Sequence, residues 1–279
     1  MSGQTSTVVS TARDYYNSAD ADNFYAIVWG GEDIHIGLYR DGAEDIAAAS
    51  HRTVEAMAAE LGPLGRETRV LDLGSGYGGA ARHLAGRHGV QVTALNLSEV
   101  ENGRHRALNK EAGLTERIEV VDGNFEAVPG GDARFDVVWS QDAILHSGDR
   151  RRVLREIDRV LKPGGQFIFT DPMQADDCPA GVLQPILDRI HLDSLGSPGF
   201  YRAEAAALGW AEVGFSDHTQ QLANHYQRVL EETVRAETTL RDKVSPEYIA
   251  RMKKGLGHWV EGGRAGHLAW GILHFKKPL

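Results

Sequence analysis

The stretch VLDLGSGYGG, residues 70–79, decides the fold class of this chain. A short apolar run ends in a turn rich in glycine, and the next residues, AARHL at 80–84, predict the start of a helix. Glycine adopts positive φ and lets a ligand approach where a Cβ atom would clash. The first N–H groups of a helix are free to donate hydrogen bonds. The stretch therefore predicts a strand, a turn and a helix that together receive a nucleoside.

The spacing of the glycines narrows the kind of ligand. Gly74, Gly76 and Gly78 are separated by single residues, and no Gly-Lys-Ser or Gly-Lys-Thr follows, which argues against a P-loop. Asp72 precedes the turn, where a carboxylate would repel a pyrophosphate but suits a cationic or hydrogen-bond-donating group. The pattern Asp-x-Gly-x-Gly-x-Gly resembles motif I of the class I S-adenosylmethionine-dependent methyltransferases. A tight turn without a ligand is the alternative interpretation.

Length, charge and cysteine content limit the size of the domain, the kinds of partner and the use of disulfides. The chain has 279 residues, of which 42% are hydrophobic, enough for one elaborated α/β domain with a core. Its net charge of −9 argues against a broad surface for nucleic acid or anionic membranes. A single cysteine, Cys178, allows no internal disulfide and no cysteine zinc site. With no secretory signal at residues 1–9, we expect a cytoplasmic protein without membrane partners, either monomer or homodimer.

Strands and helices alternate after residue 66. The predicted strands cover 69–73, 90–95, 118–122, 135–140, 166–171, 211–217 and 266–276. The predicted helices cover 11–29, 44–61, 79–88, 100–112, 151–161, 182–193, 202–208, 226–241 and 246–260. This alternation predicts an α/β fold, a doubly wound, mostly parallel sheet of seven strands with ligands at the carboxyl ends of the strands. A helical lead-in precedes the sheet, and a helical insertion precedes its last strand.

We therefore predict three parts within one compact unit. Residues 1–66 form a helical cap and lid, 67–175 the core that binds S-adenosylmethionine, and 176–279 the rest of the sheet with helices on the substrate side. This Rossmann-like arrangement is the one that the class I resemblance implies.

Residues that follow the strands complete the predicted cofactor pocket. The resemblance implies that the residue after the second strand holds the ribose and that one after the third strand contacts the adenine. Asn96 and Asn124 occupy these positions, where an acid is usual, and an amide oxygen can still accept a hydrogen bond. The predicted cofactor-binding residues are His35, Asp72, Gly74, Ser75, Gly76, Asn96, Leu97, Asn124, Phe125 and Gln141.

Several further stretches carry a closer resemblance. They are DNFY at 22–25, VWGGEDIHIGLY at 28–39, WSQD at 139–142, DPM at 171–173, QPILDRI at 184–190, YR at 201–202 and HWVEGGRAG at 258–266. Together they resemble the bacterial and algal sarcosine/dimethylglycine N-methyltransferases, which make glycine betaine. Because they lie largely outside the nucleoside-binding core, they imply the acceptor as well as the cofactor: sarcosine and dimethylglycine, methylated with S-adenosylmethionine.

The implied chemistry asks for aromatic side chains near the acceptor. In an in-line methyl transfer the amine nitrogen becomes positively charged, and no metal or covalent intermediate is needed. An aromatic face stabilises such a cation by roughly 0.5–2 kcal/mol per contact. Tyr25, Trp29 and Tyr39 are the candidates for this cage, with packing in the core or the lid as the alternative.

An amino-acid acceptor also needs a cation for its carboxylate. Arginine is the natural partner because its guanidinium matches a carboxylate with two parallel hydrogen bonds. Arg189, Arg202 and Arg264 are the candidates, and we prefer Arg202 and Arg264. The glycines around Arg264 predict a loop that leads into the last strand. A structural ion pair is the alternative for each.

Other candidates concern the proton and the methyl group. His146 and His35 are candidates to accept a proton or to hydrogen-bond the substrate, with a structural role as the alternative. Met173, after the fifth strand, is a candidate to line the methyl pocket, with plain packing as the alternative. Paired acids such as Asp176 and Asp177 have no histidine at ligand spacing, so we expect no metal.

Two alternative functions remain open at this stage. The acceptor could be another small amine, such as glycine or phosphoethanolamine. The chain could also be a non-catalytic module that binds S-adenosylmethionine, although such a sensor needs no acceptor pocket.

Overall fold

A computed structural model describes residues 13–14, 17–29 and 31–279. The strands are β1 (Arg69–Leu73), β2 (Gln91–Asn96), β3 (Ile118–Asp122), β4 (Phe135–Gln141), β5 (Leu161–Thr170), β6 (Met173–Gln174), β7 (Ala211–Asp217), β8 (Leu268–Ala269) and β9 (Gly271–Lys276). Seven of them form one sheet in the order β3-β2-β1-β4-β5-β9-β7, and β6 pairs with β8. Pairing is parallel from β3 to β5, and β9 runs antiparallel to both of its neighbours.

Helices cover the sheet and build a layer beyond its carboxyl edge. They are α1 (Ala19–Val28), α2 (Ile46–Glu60), α3 (Gly79–His88), α4 (Glu99–Glu111), α5 (Arg150–Val160), α6 (Gln184–Ile190), α7 (Pro198–Ala207), α8 (Thr219–Arg235), α9 (Glu237–Arg241) and α10 (Pro246–Arg264). Among the helices of the described residues, none combines the length and apolar character that a membrane crossing requires.

Apolar residues fill both faces of the central strands. Val137 and Trp139 of β4 pack into the cluster formed with α2 and α3, and Val138 packs into the opposite cluster with α5 and α7. Successive strand side chains point to opposite faces, so a run of apolar residues is buried on both sides. The predicted doubly wound sheet of seven strands is confirmed.

Helices α1, α8 and α10 form the layer that the helical insertion and the lead-in were predicted to supply. Phe24 of α1, Val229 of α8 and Met252 of α10 belong to one buried cluster. Packing of the inserted helices against the N-terminal helix places them together beside the sheet edge. The predicted helix start at residues 11–12, Tyr15 and Tyr16, and the stretch 1–10 lie outside the described residues.

Several predicted bounds were wrong. The last strand divides into β8 and β9, the helix predicted at 226–241 begins at Thr219 and is interrupted at Ala236, and α10 continues to Arg264. Residues 162–165, which separate the predicted helix 151–161 from the predicted strand 166–171, lie within β5, because Leu161 already pairs with Phe135 and the register shifts before Val137. None of these differences moves a residue of the strand–turn–helix unit at 69–88.

Candidate active site

The site lies at the carboxyl ends of β1 and β4, where the strand order reverses. In the sheet β1 has β2 on one side and β4 on the other, so the connections leave in opposite directions and open a crevice. A first cavity occupies this crevice. All ten predicted cofactor-binding residues line it, together with others that include Asp33, Glu101 and Asp142. The structure thus brings together the residues predicted to bind the cofactor, whose role in binding stays a prediction.

The glycine turn adopts the conformation that its sequence predicts. Gly74 has φ +75° and Gly76 φ +49°, both in the left-handed region. A Cβ atom on Gly74 would lie 2.3 Å from the Cβ of Ala143, the residue that follows the β4 end by two positions. The turn can therefore close against the β4 loop only with glycine, which leaves bare backbone on the cavity wall.

Buried polar atoms point to a ligand in the first cavity. Asp72 Oδ2 and Ser75 Oγ line this cavity, are buried, and have no hydrogen-bond partner within the described residues. Burial raises the pKa of Asp72 to about 7, with His35 opposing the shift. A ligand that brings a cation and hydrogen-bonding groups would satisfy both atoms. The residues present therefore fit a nucleoside with a cationic amino-acid portion.

Glu101 is a cavity residue that the sequence interpretation missed. Asn96 donates through Nδ2 to Glu101 Oε2 at 2.9 Å, and burial raises the pKa of Glu101 to about 7. The signal is local: Ser98 caps α4 and accepts from the Glu101 N–H, a pattern that turns the third helical residue back towards the strand end. An acid therefore accompanies the predicted amide at the ribose position.

A second cavity adjoins the first. The two share Ile34, His35, Asp142 and His146, which form the junction where a group bound in one can reach the other. Aromatic side chains from three helices line the second cavity, namely Tyr25, Trp29, Tyr226, Tyr248 and Trp259. Two predicted members of the aromatic cage, Tyr25 and Trp29, thus line it, and their ring centroids are 4.9 Å apart.

The other three aromatic residues escaped the sequence interpretation. Tyr248 and Trp259 lie three turns apart on α10, and Tyr226 of α8 stacks on Trp259 with centroids 5.1 Å apart. Spacing of 11 residues keeps Tyr248 and Trp259 on one helix face, a pattern that also fits an ordinary core. Only the packing of α8 against α10 shows that this face borders a cavity.

Hydrogen bonds fix the loop at residues 31–45 over the junction. The Ile36 N–H donates to Asp142 Oδ2 at 2.7 Å, and the Trp270 indole N–H donates to Asp142 Oδ1 at 2.8 Å. The Gly37 N–H donates to His225 Nδ1 at 3.3 Å. The buried carboxylate after β4 therefore ties the loop to β4 and to the segment before β9.

The two junction histidines differ in their environment. Burial lowers the pKa of His146 to about 4, helped by the charge of Arg150, so His146 is neutral near pH 7. Burial also acts to lower the pKa of His35, but the adjacent Asp33 carboxylate outweighs it and raises that pKa. Both side chains can therefore meet a substrate at the junction, one as a neutral imidazole and one held by an anion.

The preferred arginines are not in the site. Arg202 pairs with Glu212 at 3.0 Å and lines neither cavity, because α7 and β7 lie on the outer part of the sheet. Arg264 is exposed in the last turn of α10 and not in a loop, and it donates to Gln227 at 3.4 Å. The prediction that these two hold the carboxylate is corrected. Arg189 is the candidate that lines the second cavity.

Two further candidates, Tyr39 and Met173, line neither cavity. Tyr39 is buried behind His225, whose Nδ1 lies 2.9 Å from the Tyr39 hydroxyl, and it lines neither cavity. Met173 is fully buried in the core cluster with Phe169 and Tyr201. Their roles in the cage and the methyl pocket are therefore corrected to packing. Within the described part of the chain, no group of three or more histidine, cysteine or acidic side chains is arranged for a metal.

Known proteins resemble this chain over nearly its whole length. A family model described as "Methyltransferase domain" matches residues 71–169. A sarcosine/dimethylglycine N-methyltransferase of Halorhodospira halochloris is 62% identical over 96% of both chains. One from Aphanothece halophytica is 54% identical, covering 97% of this chain and 98% of the relative.

A solved structure agrees with these relatives. The crystal structure of a sarcosine dimethylglycine methyltransferase from Galdieria sulphuraria, described there as putative, superposes with a TM-score of 0.90 at 45% identity. It covers 95% of this chain and 99% of the other. Similarity at this level includes the loop at 31–45 and the helices that carry the second cavity, as well as the nucleoside-binding core. The chain belongs to the sarcosine/dimethylglycine N-methyltransferase family.

Proposed function

We propose that this protein transfers a methyl group from S-adenosylmethionine to the nitrogen of sarcosine and dimethylglycine, with glycine betaine as the final product. The observation that carries the proposal is the junction of the two cavities at His35, Asp142 and His146. A cofactor in the first cavity and an acceptor in the second would meet there, as an in-line transfer requires.

The first cavity fits the cofactor through groups already described. Asp72 and Ser75 would meet its amino-acid portion, Asn96 and Glu101 its ribose hydroxyls, and Asn124 its adenine. When bound, S-adenosylmethionine supplies a methyl carbon on a positively charged sulfur, and the C–S electron pair stays on sulfur as the carbon is transferred. The chain's own part is to position the amine, exclude water and stabilise the charge that the amine gains.

Aromatic faces of the second cavity suit that charge. Tyr25 and Trp29 come from α1, and the walls opposite carry Tyr226, Tyr248 and Trp259. Each ring face that a methylated ammonium contacts contributes roughly 0.5–2 kcal/mol, more when water is excluded. Because the amine nitrogen gains positive charge as it receives the methyl group, these aromatic walls would stabilise the developing cation.

Arg189 is the residue we assign to the substrate carboxylate. It is half-buried, whereas Arg251 and Lys254, the other cations that line the second cavity, are exposed. Among the described residues no carboxylate lies within ion-pair distance of Arg189, and its guanidinium contacts Met252 Sδ at 2.8 Å. A partly desolvated arginine without an anion is well placed to bind one.

A methyl-transfer assay tests the function. Purified protein and S-adenosylmethionine are incubated in parallel with sarcosine, dimethylglycine, glycine and phosphoethanolamine, and the methylated products are quantified. Turnover of sarcosine and dimethylglycine is expected. Turnover of glycine or phosphoethanolamine alone would contradict sarcosine and dimethylglycine as the acceptors. Cofactor binding without any methyl transfer would indicate a binding module.

A further inference from the structure

The side chain of Asp33 lies between two histidines from different parts of the chain. Its Oδ2 accepts a hydrogen bond from His51 Nδ1 on α2 at 2.9 Å. Its Oδ1 lies 3.7 Å from His35 Nε2 at the junction of the cavities. Asp33 and His35 are both buried. Within the described residues, neither Asp33 Oδ1 nor His35 Nε2 has a hydrogen-bond partner. A His–Asp–His series thus leads away from the reaction site.

The start of α3 makes room for this carboxylate. A Cβ atom on Gly79, the first residue of α3, would lie 2.0 Å from Asp33 Oδ1. Because Gly79 carries no side chain, the Asp33 carboxylate lies against the N-terminus of the helix, where free N–H groups favour a negative charge. Burial opposes ionisation of Asp33, but the hydrogen bond from His51 and the charges of both histidines hold its pKa well below the usual value.

Hydrogen bonding also orients the His35 ring. The Trp139 indole can only donate, and its Nε1 lies 3.0 Å from Gln141 Oε1, so the Gln141 amide nitrogen is turned towards His35. That nitrogen is 3.3 Å from His35 Nδ1. The Ile36 carbonyl oxygen lies 3.4 Å from the same Nδ1. In the neutral ring Nδ1 therefore accepts from Gln141 and Nε2 carries its hydrogen towards Asp33, whereas in the protonated ring Nδ1 can donate to the Ile36 carbonyl. At 3.7 Å the Asp33 carboxylate acts on the imidazole through its charge and not through a hydrogen bond, on the side of the ring opposite Nδ1.

The other end of the series reaches water. The His51 side chain is 45% exposed and borders a separate surface pocket with His83 and Arg82. Hydrogen bonding to Asp33 raises the pKa of His51. Further titratable groups surround the series. They include Asp72 of β1, Asp142 after β4, His146 and His225 of α8 near His35, and Glu32, Glu55, Arg82 and His83 near His51.

We propose that His35 is the general base of the methyl transfer and that Asp33 and His51 are positioning residues that set its basicity from the solvent side. The inference rests on the proposed function. Sarcosine and dimethylglycine are ammonium ions in water, and each methyl transfer releases one proton. The amine passes that proton to His35 Nδ1, which gives up its hydrogen bond from the Gln141 amide. The freed lone pair of the amine then forms the bond to the methyl carbon, while the carbon–sulfur bond of the methyl donor would break and leave its electron pair on sulfur. Asp33 stabilises the imidazolium until the proton leaves to water.

Substitutions of Asp33, in the middle of the series, and of His51, at its outer end, are expected to act in opposite directions. Asp33→Asn removes the anion that raises the pKa of His35 and leaves burial to lower it, so the acidic limb of the kcat profile moves to lower pH by about one unit. His51→Asn removes the cation that shares the Asp33 charge, so the limb moves to higher pH. His35→Asn lowers kcat by roughly 100-fold or more. His88→Asn, on α3 and without a hydrogen bond to Asp33, is the control.

Two measurements test the expected shifts in the pKa of His35. One is kcat against pH with saturating sarcosine, and the other is the NMR titration of the His35 ring in the protein without cofactor, which does not depend on turnover. Opposite shifts of both readouts in Asp33→Asn and His51→Asn are expected. If the wild-type enzyme is active, but neither variant shifts the acidic limb of the kcat profile or the titration of His35, the inference is overturned and the proposed function stands. A wild-type enzyme that binds cofactor but methylates neither amine would overturn the proposed function, and the base assignment with it.

Discussion

At the scale of single residues, the position of Arg189 depends on an absent side chain. A Cβ atom on Gly255 of α10 would lie 2.1 Å from Arg189 Nε and 2.5 Å from its Cζ. The flexible arginine side chain, and not the helix backbone, would have to move. Replacing glycine by alanine inside a helix adds up to about 1 kcal/mol of stability, so Gly255→Ala should still fold.

We therefore expect Gly255→Ala and Arg189→Ala to raise the KM for sarcosine at least about tenfold, with a smaller change in kcat, because each removes a charge-assisted hydrogen bond. Initial rates against sarcosine concentration measure this. Gly257→Ala on the same helix is the matched control, because a Cβ atom there meets nothing within 4 Å. Equal KM values for the alanine variants at 255 and 257 would argue against Arg189 as the residue that binds the substrate carboxylate.

Asp72 predicts a pH-dependent cofactor affinity. Burial raises its pKa to about 7 in the protein alone, and a bound cation would lower it. Binding is then favoured by the ionised carboxylate, so the affinity for S-adenosylmethionine falls as pH drops below about 7. Calorimetric titration between pH 5.5 and 8 measures the slope. Asp72→Asn should reduce it, while Glu101, whose pKa burial also raises to about 7, supplies the remainder. A wild-type affinity that is independent of pH would contradict a cation beside Asp72.

At the scale of elements, the loop at 31–45 is seated on α2 through one close approach. A Cβ atom on Gly37 would lie 2.7 Å from the backbone carbon of Ala49 and from the backbone nitrogen of Ser50. Thr53 and Ser50 add hydrogen bonds from their hydroxyl groups to the carbonyls of Ile36 and His35. The loop therefore owes the position of its junction residues to contact with α2.

We expect Gly37→Ala to lower the free energy of unfolding by about 1–3 kcal/mol and to reduce kcat, because the loop must move away from the rigid backbone of α2. Thermal unfolding and initial rates check both effects. Gly42→Ala in the same loop should leave both near the wild-type values, since a Cβ atom there meets nothing within 4 Å. A Gly37→Ala protein with normal stability and turnover would show that the contact does not hold the loop.

Helix α10 explains why one sequence interpretation was wrong. Gly262 and Gly263 have low helix propensity and predict a loop before the last strand, yet both are helical. A Cβ atom on Gly263 would lie 3.0 Å from the Cβ of Ala223 on α8, and one on Gly262 would lie 3.2 Å from Leu268. Close packing of α10 against α8 and β8 thus overrides local propensity, which carries Arg264 away from the site.

At the scale of the whole molecule, two of the three predicted parts share one sheet. Strand β9 lies between β5 and β7, so the segment 176–279 supplies two strands to the sheet that 67–175 begins. Phe275 of β9 packs in the same cluster as Phe167 and Phe169 of β5. The division into a cap, a core and a C-terminal part stays our proposal, as parts of one cooperative unit.

We expect a single thermal transition in which the calorimetric and van't Hoff enthalpies agree, because no part can unfold without exposing the shared core. Differential scanning calorimetry of the full chain measures this. Two separate transitions, or a stable fragment ending at residue 175, would contradict the cooperative unit. Added S-adenosylmethionine should shift the one transition upwards, since it binds the folded state.

Much of this protein was determined by the sequence alone. The order of strands and helices and the glycine turn follow from local pattern and from one topological rule, whereas the ten residues of the predicted cofactor pocket also rest on the family resemblance. Carboxyl ends of neighbouring parallel strands meet at one edge, so residues that follow such strands must lie close together. Asn96 and Asn124 could therefore be placed without knowing any side-chain packing.

Only the tertiary structure decided the acceptor side. The choice of Arg189 over Arg202 and Arg264, the aromatic wall of α8 and α10, and the place of Asp33 between His35 and His51 depend on how distant helices pack. Apolar periodicity shows that a helix has a buried face but not whether that face meets a core or a cavity. That distinction arises from contacts between segments that lie far apart in the chain, which no local pattern records.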